Sequence, residues 1–72
     1  SQLRPAFEES NVKPQTMRFD RSRAELRIQA IARNYDALDK FKRQAEAQGF
    51  TVEQGSINQE DNQVIGTLSI RS

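Results

Sequence analysis

One unit is written twice in this chain: a short helical pattern leads into two strand-like segments over Leu3–Ala32, and a second helical pattern leads into two more over Tyr35–Arg71. Two helix-strand-strand units within 72 residues are enough for one four-stranded sheet with both helices on one face. Neither half brings together residues set for chemistry. The plan is that of a binding module rather than an enzyme.

Length sets the next bound. A single domain of this size buries only roughly 60% of the surface its unfolded chain exposes. Seven of its apolar residues are alanine, so a dozen or so larger side chains must build the core and a deep catalytic cleft is hard to fit. The sequence contains no cysteine and no histidine. Disulfides, thiolate chemistry, the commonest general base and the commonest neutral metal ligand are therefore all missing, and no cofactor is expected. No run approaches the roughly 20 apolar residues of a membrane-crossing helix. The chain starts at Ser1-Gln2-Leu3 without an initiator Met and inside a helical pattern, so it is expected to be one domain over 1–72, cut from a larger protein.

Leu3, Ala6 and Phe7 share a helix face, Pro5 is tolerable in a first turn, and the helix should stop near Ser10-Asn11. Lys13-Pro14 then favours extended backbone. Gln15–Asp20 alternates, which predicts a half-buried strand with Met17 and Phe19 inward and Thr16, Arg18 and Asp20 outward. After a polar turn at Arg21-Ser22-Arg23, Glu25–Ala32 resumes with Leu26, Ile28, Ala30 and Ala32 inward and Glu25, Arg27 and Gln29 outward. Asn34 is a good N-cap for the clearest helix, whose buried stripe is Leu38, Phe41 and Ala45 and whose C-terminal glycine is Gly49. A third strand starts at Phe50 and Val52, Gly55 marks a bulge or break, and a loop is expected over Asn58–Gln63. The last strand, Val64–Arg71, turns Val64, Gly66, Leu68 and Ile70 inward, Gly66 allowing close approach of a helix.

A right-handed crossover through the central helix would set the third or fourth strand beside the second in parallel. The economical sheet order is third, fourth, second, first. This is an α+β two-layer sandwich, a circularly permuted ferredoxin-like fold (αββαββ) with a four-stranded antiparallel or mixed sheet. The first and third strands are then edges, whose unpaired backbone groups must be shielded or used. The first has no proline within Gln15–Asp20 and no inward charge. We therefore expect a protein interface over Gln15, Thr16, Met17, Arg18, Phe19 and Asp20, working by strand addition.

Other groupings are weaker. Residues 13–33 carry six basic and two acidic side chains, and residues 44–72 four acidic and one basic. Such asymmetry can steer a partner, although a solvated charged surface is the favoured explanation. Arg18, Arg21, Arg23 and Arg27 could meet phosphates. A nucleic-acid-binding sheet would also need exposed aromatics for stacking, and Phe19, Phe41 and Phe50 all read as inward. Ile31, Ile57 and Ile65 are placed on the sheet face away from the helices, where stems of Arg and Gln would shield them. The acidic residues are scattered and form no opposed carboxylate pair.

The segment from Met17-Arg-Phe-Asp-Arg-Ser-Arg-Ala-Glu-Leu to Ala30, the helix end Gln48-Gly49-Phe-Thr-Val-Glu-Gln-Gly55 and the strand Val64-Ile-Gly-Thr-Leu-Ser-Ile70 resemble the C-terminal periplasmic domain of the type II secretion system protein L family. The resemblance runs from about Leu3 to Arg71. It implies an inner-membrane protein of a Gram-negative bacterium with one membrane helix upstream of Ser1. It further implies a cytoplasmic domain that binds the secretion ATPase and a periplasmic domain that forms a homodimer and a heterodimer with the similarly folded protein M. The protein M family is the alternative, against which stand the Phe-Asp-Arg-Ser-Arg-Ala-Glu-Leu pattern and the lack of tryptophan in the second helix. The resemblance brings no catalytic residue.

Overall fold

The structure, a computed structural model, describes residues 3–72. The expected continuation of the first helix through Ser1 and Gln2 lies outside the described residues. The element order is α1 (Arg4–Ser10), β1 (Lys13–Asp20), β2 (Glu25–Ala32), α2 (Tyr35–Ala47), β3 (Thr51–Glu60) and β4 (Gln63–Arg71). The sheet order is β1-β2-β4-β3, as expected.

Every neighbouring pair in this sheet is antiparallel, including β2 with β4. The expectation of a parallel neighbour for β2 is therefore corrected. The crossover through α2 does deliver β3 parallel to β2, but one place further out. The short β3–β4 hairpin then returns β4 into the gap between them.

Both helices end on the same device. Gly49, at φ 96°, follows α2, and its N–H reaches the Glu46 carbonyl while the Phe50 N–H reaches that of Ala45. Asn11, at φ 60°, does the same after α1, with its N–H on Glu8 and that of Val12 on Phe7. These are paired 5→2 and 6→1 closures that satisfy otherwise orphaned helix carbonyls. At its other end α2 is capped by Asn34, whose side chain accepts from the Ala37 N–H at 2.9 Å.

The core is the predicted stripe of Leu38, Phe41 and Ala45 laid on Ile28, Ala30, Ala32, Val64, Leu68 and Ile70. Phe41 also stacks on Phe7 of α1, with ring centroids 4.6 Å apart. Gly66 lies beneath α2, where a Cβ would stand 3.1 Å from Leu38 Cδ1.

Several local expectations change. The register of β3 against β4 slips between Gln54 and Ile57, confirming the bulge at Gly55. Beyond it the strand continues to Glu60 and pairs with Gln63, so the loop is only residues 61–62 rather than Asn58–Gln63. The bulge also resets the phase. Ile57 packs against the core on the helix face, while Ile31 and Ile65 sit directly opposite each other on the outer face. Glu25, expected to be solvated, is only 6% exposed, because Arg27 Nε closes on its Oε1 at 3.2 Å.

Candidate protein-protein interface

β1 has a partner on one side only. It begins at Lys13 rather than Gln15, so Pro14 is within the strand, and the register against β2 shifts between Pro14 and Thr16. The shift sets Gln15 at a bulge. A regular edge remains over Thr16, Met17, Arg18, Phe19 and Asp20, paired in turn with Gln29, Ile28, Arg27, Leu26 and Glu25.

Pairing with Ile28 and Leu26 puts Met17 and Phe19 on the helix side of the sheet, as their alternation required. They are not buried there. Met17 is 57% and Phe19 61% exposed, which overturns the expected half-buried strand. The reason lies in the helix layer: α2 rests on β2 and β3, and α1 packs mainly on α2, so the cover stops short of β1. Among the described residues only three large apolar side chains are exposed, and two of them are this pair. Phe19 also borders an open apolar depression of about 280 Å³ lined by Leu3, Leu26, Phe50 and Ile70.

The outer face of the same strand is charged. Arg18 stands opposite Arg27, whose guanidinium is committed to Glu25. Asp20 holds the β1–β2 turn: its Oδ1 accepts from the Ser22 N–H at 3.0 Å and from Ser22 Oγ at 2.7 Å. Its carboxyl is held below the ordinary aspartate range chiefly by the Ser22 hydroxyl; desolvation opposes this next, and the backbone N–H groups of Arg23 and Ser22 and the Arg23 charge add smaller lowering effects.

β3 is the other edge, and it offers less. Its bulge at Gly55 falls mid-strand and leaves two short regular stretches, a common protection of edges. Glu53 on it is tied to Arg71 at 3.3 Å. No large exposed apolar residue lies on β3. The arginine-rich hairpin lacks a stacking surface, since the exposed Phe19 is on the helix side, away from Arg18 and Arg27. Among the described residues no group of acidic side chains is placed to hold a metal ion.

The sequence matches the family described as the GspL periplasmic domain over residues 1–72. The chain belongs to that family. It is 34% identical over 71 residues to the type II secretion system protein L of Vibrio cholerae and 40% identical over 58 residues to that of Dickeya chrysanthemi. It spans only 17% and 14% of the lengths of those two relatives. In three dimensions it is similar to the periplasmic domain of XcpY, with a TM-score of 0.87, 21% identity and coverage of 96% of this chain and 90% of the other. The periplasmic domain of EpsL from Vibrio parahaemolyticus gives a TM-score of 0.80 at 24% identity, with coverage of 96% and 83%. These two establish a shared fold. The family is a component of the type II secretion system, and this part of it is the periplasmic domain.

Proposed function

We propose that this domain is a non-enzymatic assembly element of the type II secretion inner-membrane platform, and that it pairs with itself and with the protein M partner through β1. The observation that carries this reading is an unpaired edge, Thr16–Asp20, that exposes Met17 and Phe19 beside an apolar depression. Strand addition supplies backbone hydrogen bonds to any partner with a free edge, and the side chains at alternate positions supply selectivity. Such an edge serves a second copy or a partner of similar fold equally well, so homodimer and heterodimer would compete for one surface. The parent protein would reside in the inner membrane, would engage the secretion ATPase through a cytoplasmic domain, and would support export across the outer membrane. What supports a wider role in secretion is that the relatives, of which this domain covers less than a fifth, carry the name type II secretion system protein L.

The test is association measured by light scattering over a dilution series, with Met17→Pro and Arg18→Glu beside the unmodified chain. Weaker association in variants whose circular dichroism is unchanged is expected. Unchanged association in folded variants would move the interface elsewhere.

A further inference from the structure

The charges on β1 also select how two copies would meet, given the reading above that β1 is the pairing edge. Two strands joined edge to edge about a twofold axis perpendicular to the sheet run antiparallel, and each residue faces a partner residue of the same sheet face. The axis must then pass beside a single residue of β1.

Only a few centres are possible on Thr16–Asp20. Centring on Arg18 opposes two arginines, next to an Arg27 that already stands beside each of them. Centring on Asp20 opposes two aspartates. Centring on Met17 opposes Arg18 to Thr16 and draws the bulge at Gln15 into the ladder, and centring on Thr16 draws in Pro14, which has no N–H to give. Centring on Phe19 opposes Arg18 of each copy to Asp20 of the other. Like charges directly opposite are destabilising and unlike charges are favourable.

The side chains are ready for that last arrangement. Among the described residues Arg18 has no ion-pair partner. The Oδ1 of Asp20 is occupied by Ser22, whereas its Oδ2 has only an exposed Arg23 Nε at 3.9 Å. On the opposite face the same register brings the two exposed Phe19 rings together on the helix side, beside Leu26 and its depression. Both faces of the strand therefore agree.

We propose that the chain self-associates by antiparallel pairing of β1 centred on Phe19, with reciprocal ion pairs between Arg18 and Asp20 of the two copies, giving one continuous eight-stranded sheet. The ladder is short, Arg18–Asp20 of each copy, because β1 ends at Asp20, and this suits an interface that must exchange partners.

Because the chain has no cysteine, single substitutions report on the register directly. Cα atoms at a cross-strand pair lie about 4.5–5.5 Å apart, within disulfide reach. Phe19→Cys should cross-link rapidly under mild oxidation. Met17→Cys should not, since its two copies would be offset by four residues, on the order of 14 Å along the strand. Arg18→Asp, which sets an aspartate against the partner's Asp20, should weaken association roughly fivefold, and Arg18→Lys should retain most of it. Cross-linking through Met17→Cys in preference to Phe19→Cys, or unchanged association of Arg18→Asp, would overturn this register while leaving β1 as the edge. A dimer seen by light scattering in which neither cysteine cross-links would likewise overturn this register.

Discussion

Gly66 of β4 and Leu38 of α2 are in contact across the layer boundary: a Cβ at position 66 would lie 3.1 Å from Leu38 Cδ1 and 3.6 Å from Ile57 Cγ1. The missing side chain is what lets α2 sit this low on the sheet. A valine there must displace Leu38, which is fully buried and has no open space to move into. Gly66→Val should destabilise the chain by about 1–3 kcal/mol. The measurement is the urea midpoint.

Position 49 is the contrasting case. A Cβ on Gly49 would meet nothing within 4 Å, yet its φ is 96°. The cost of Gly49→Ala is then purely conformational, about 1 kcal/mol. Ala24, which closes the β1–β2 turn with its N–H on the Arg21 carbonyl at 3.3 Å, is held at φ 50°. Ala24→Gly should for the same reason stabilise by about 0.5–1 kcal/mol. Thermal melts of the two variants should move in opposite directions.

Much of this architecture was legible in the residues. The stripe of Leu38, Phe41 and Ala45, the cap at Gly49 and the inward set on β4 follow from periods that local geometry imposes. Strand order followed from connection lengths and handedness. What escaped notice depends on what lies over or beside a residue. Met17 and Phe19 alternate identically whether or not a helix covers their strand, and here none does. Alternation alone puts Ile57 on the outer face, whereas the bulge at Gly55 resets the phase by an amount that composition does not reveal. Glu25 is buried by the reach of Arg27 from two residues away, a matter of rotamer rather than pattern. The edge at β1 was foreseen from topology, and its apolar character became visible only when the helix layer was placed.

The turn that ends β1 should respond to acid. Asp20 is held below the ordinary aspartate range chiefly by the Ser22 hydroxyl. A carboxyl lowered in the folded state contributes its stabilisation fully above its unfolded value, and loses it as pH falls through the lowered folded value. The hairpin tip should therefore be intact at neutral pH and loosen only in strong acid. A carbon-detected NMR titration should find Asp20 below the ordinary aspartate range, and Ser22→Ala should move it back toward that range.

Phe41 joins the two helices to the sheet. It is fully buried and stacks on Phe7, so Phe41→Ala should cost about 3–5 kcal/mol. A domain this small has a total stability of only about 5 kcal/mol. Circular dichroism of the variant should show a strongly lowered melting midpoint and a substantial unfolded fraction at 37 °C.

We propose the open edge of β1 as the place where this domain meets its partners. Amide hydrogen exchange of the unmodified chain over a dilution series tests it most directly. Protection within Thr16–Asp20 should rise with protein concentration while β3 amides stay unchanged. Concentration-dependent protection along Thr51–Glu60, with none gained on β1, would contradict it.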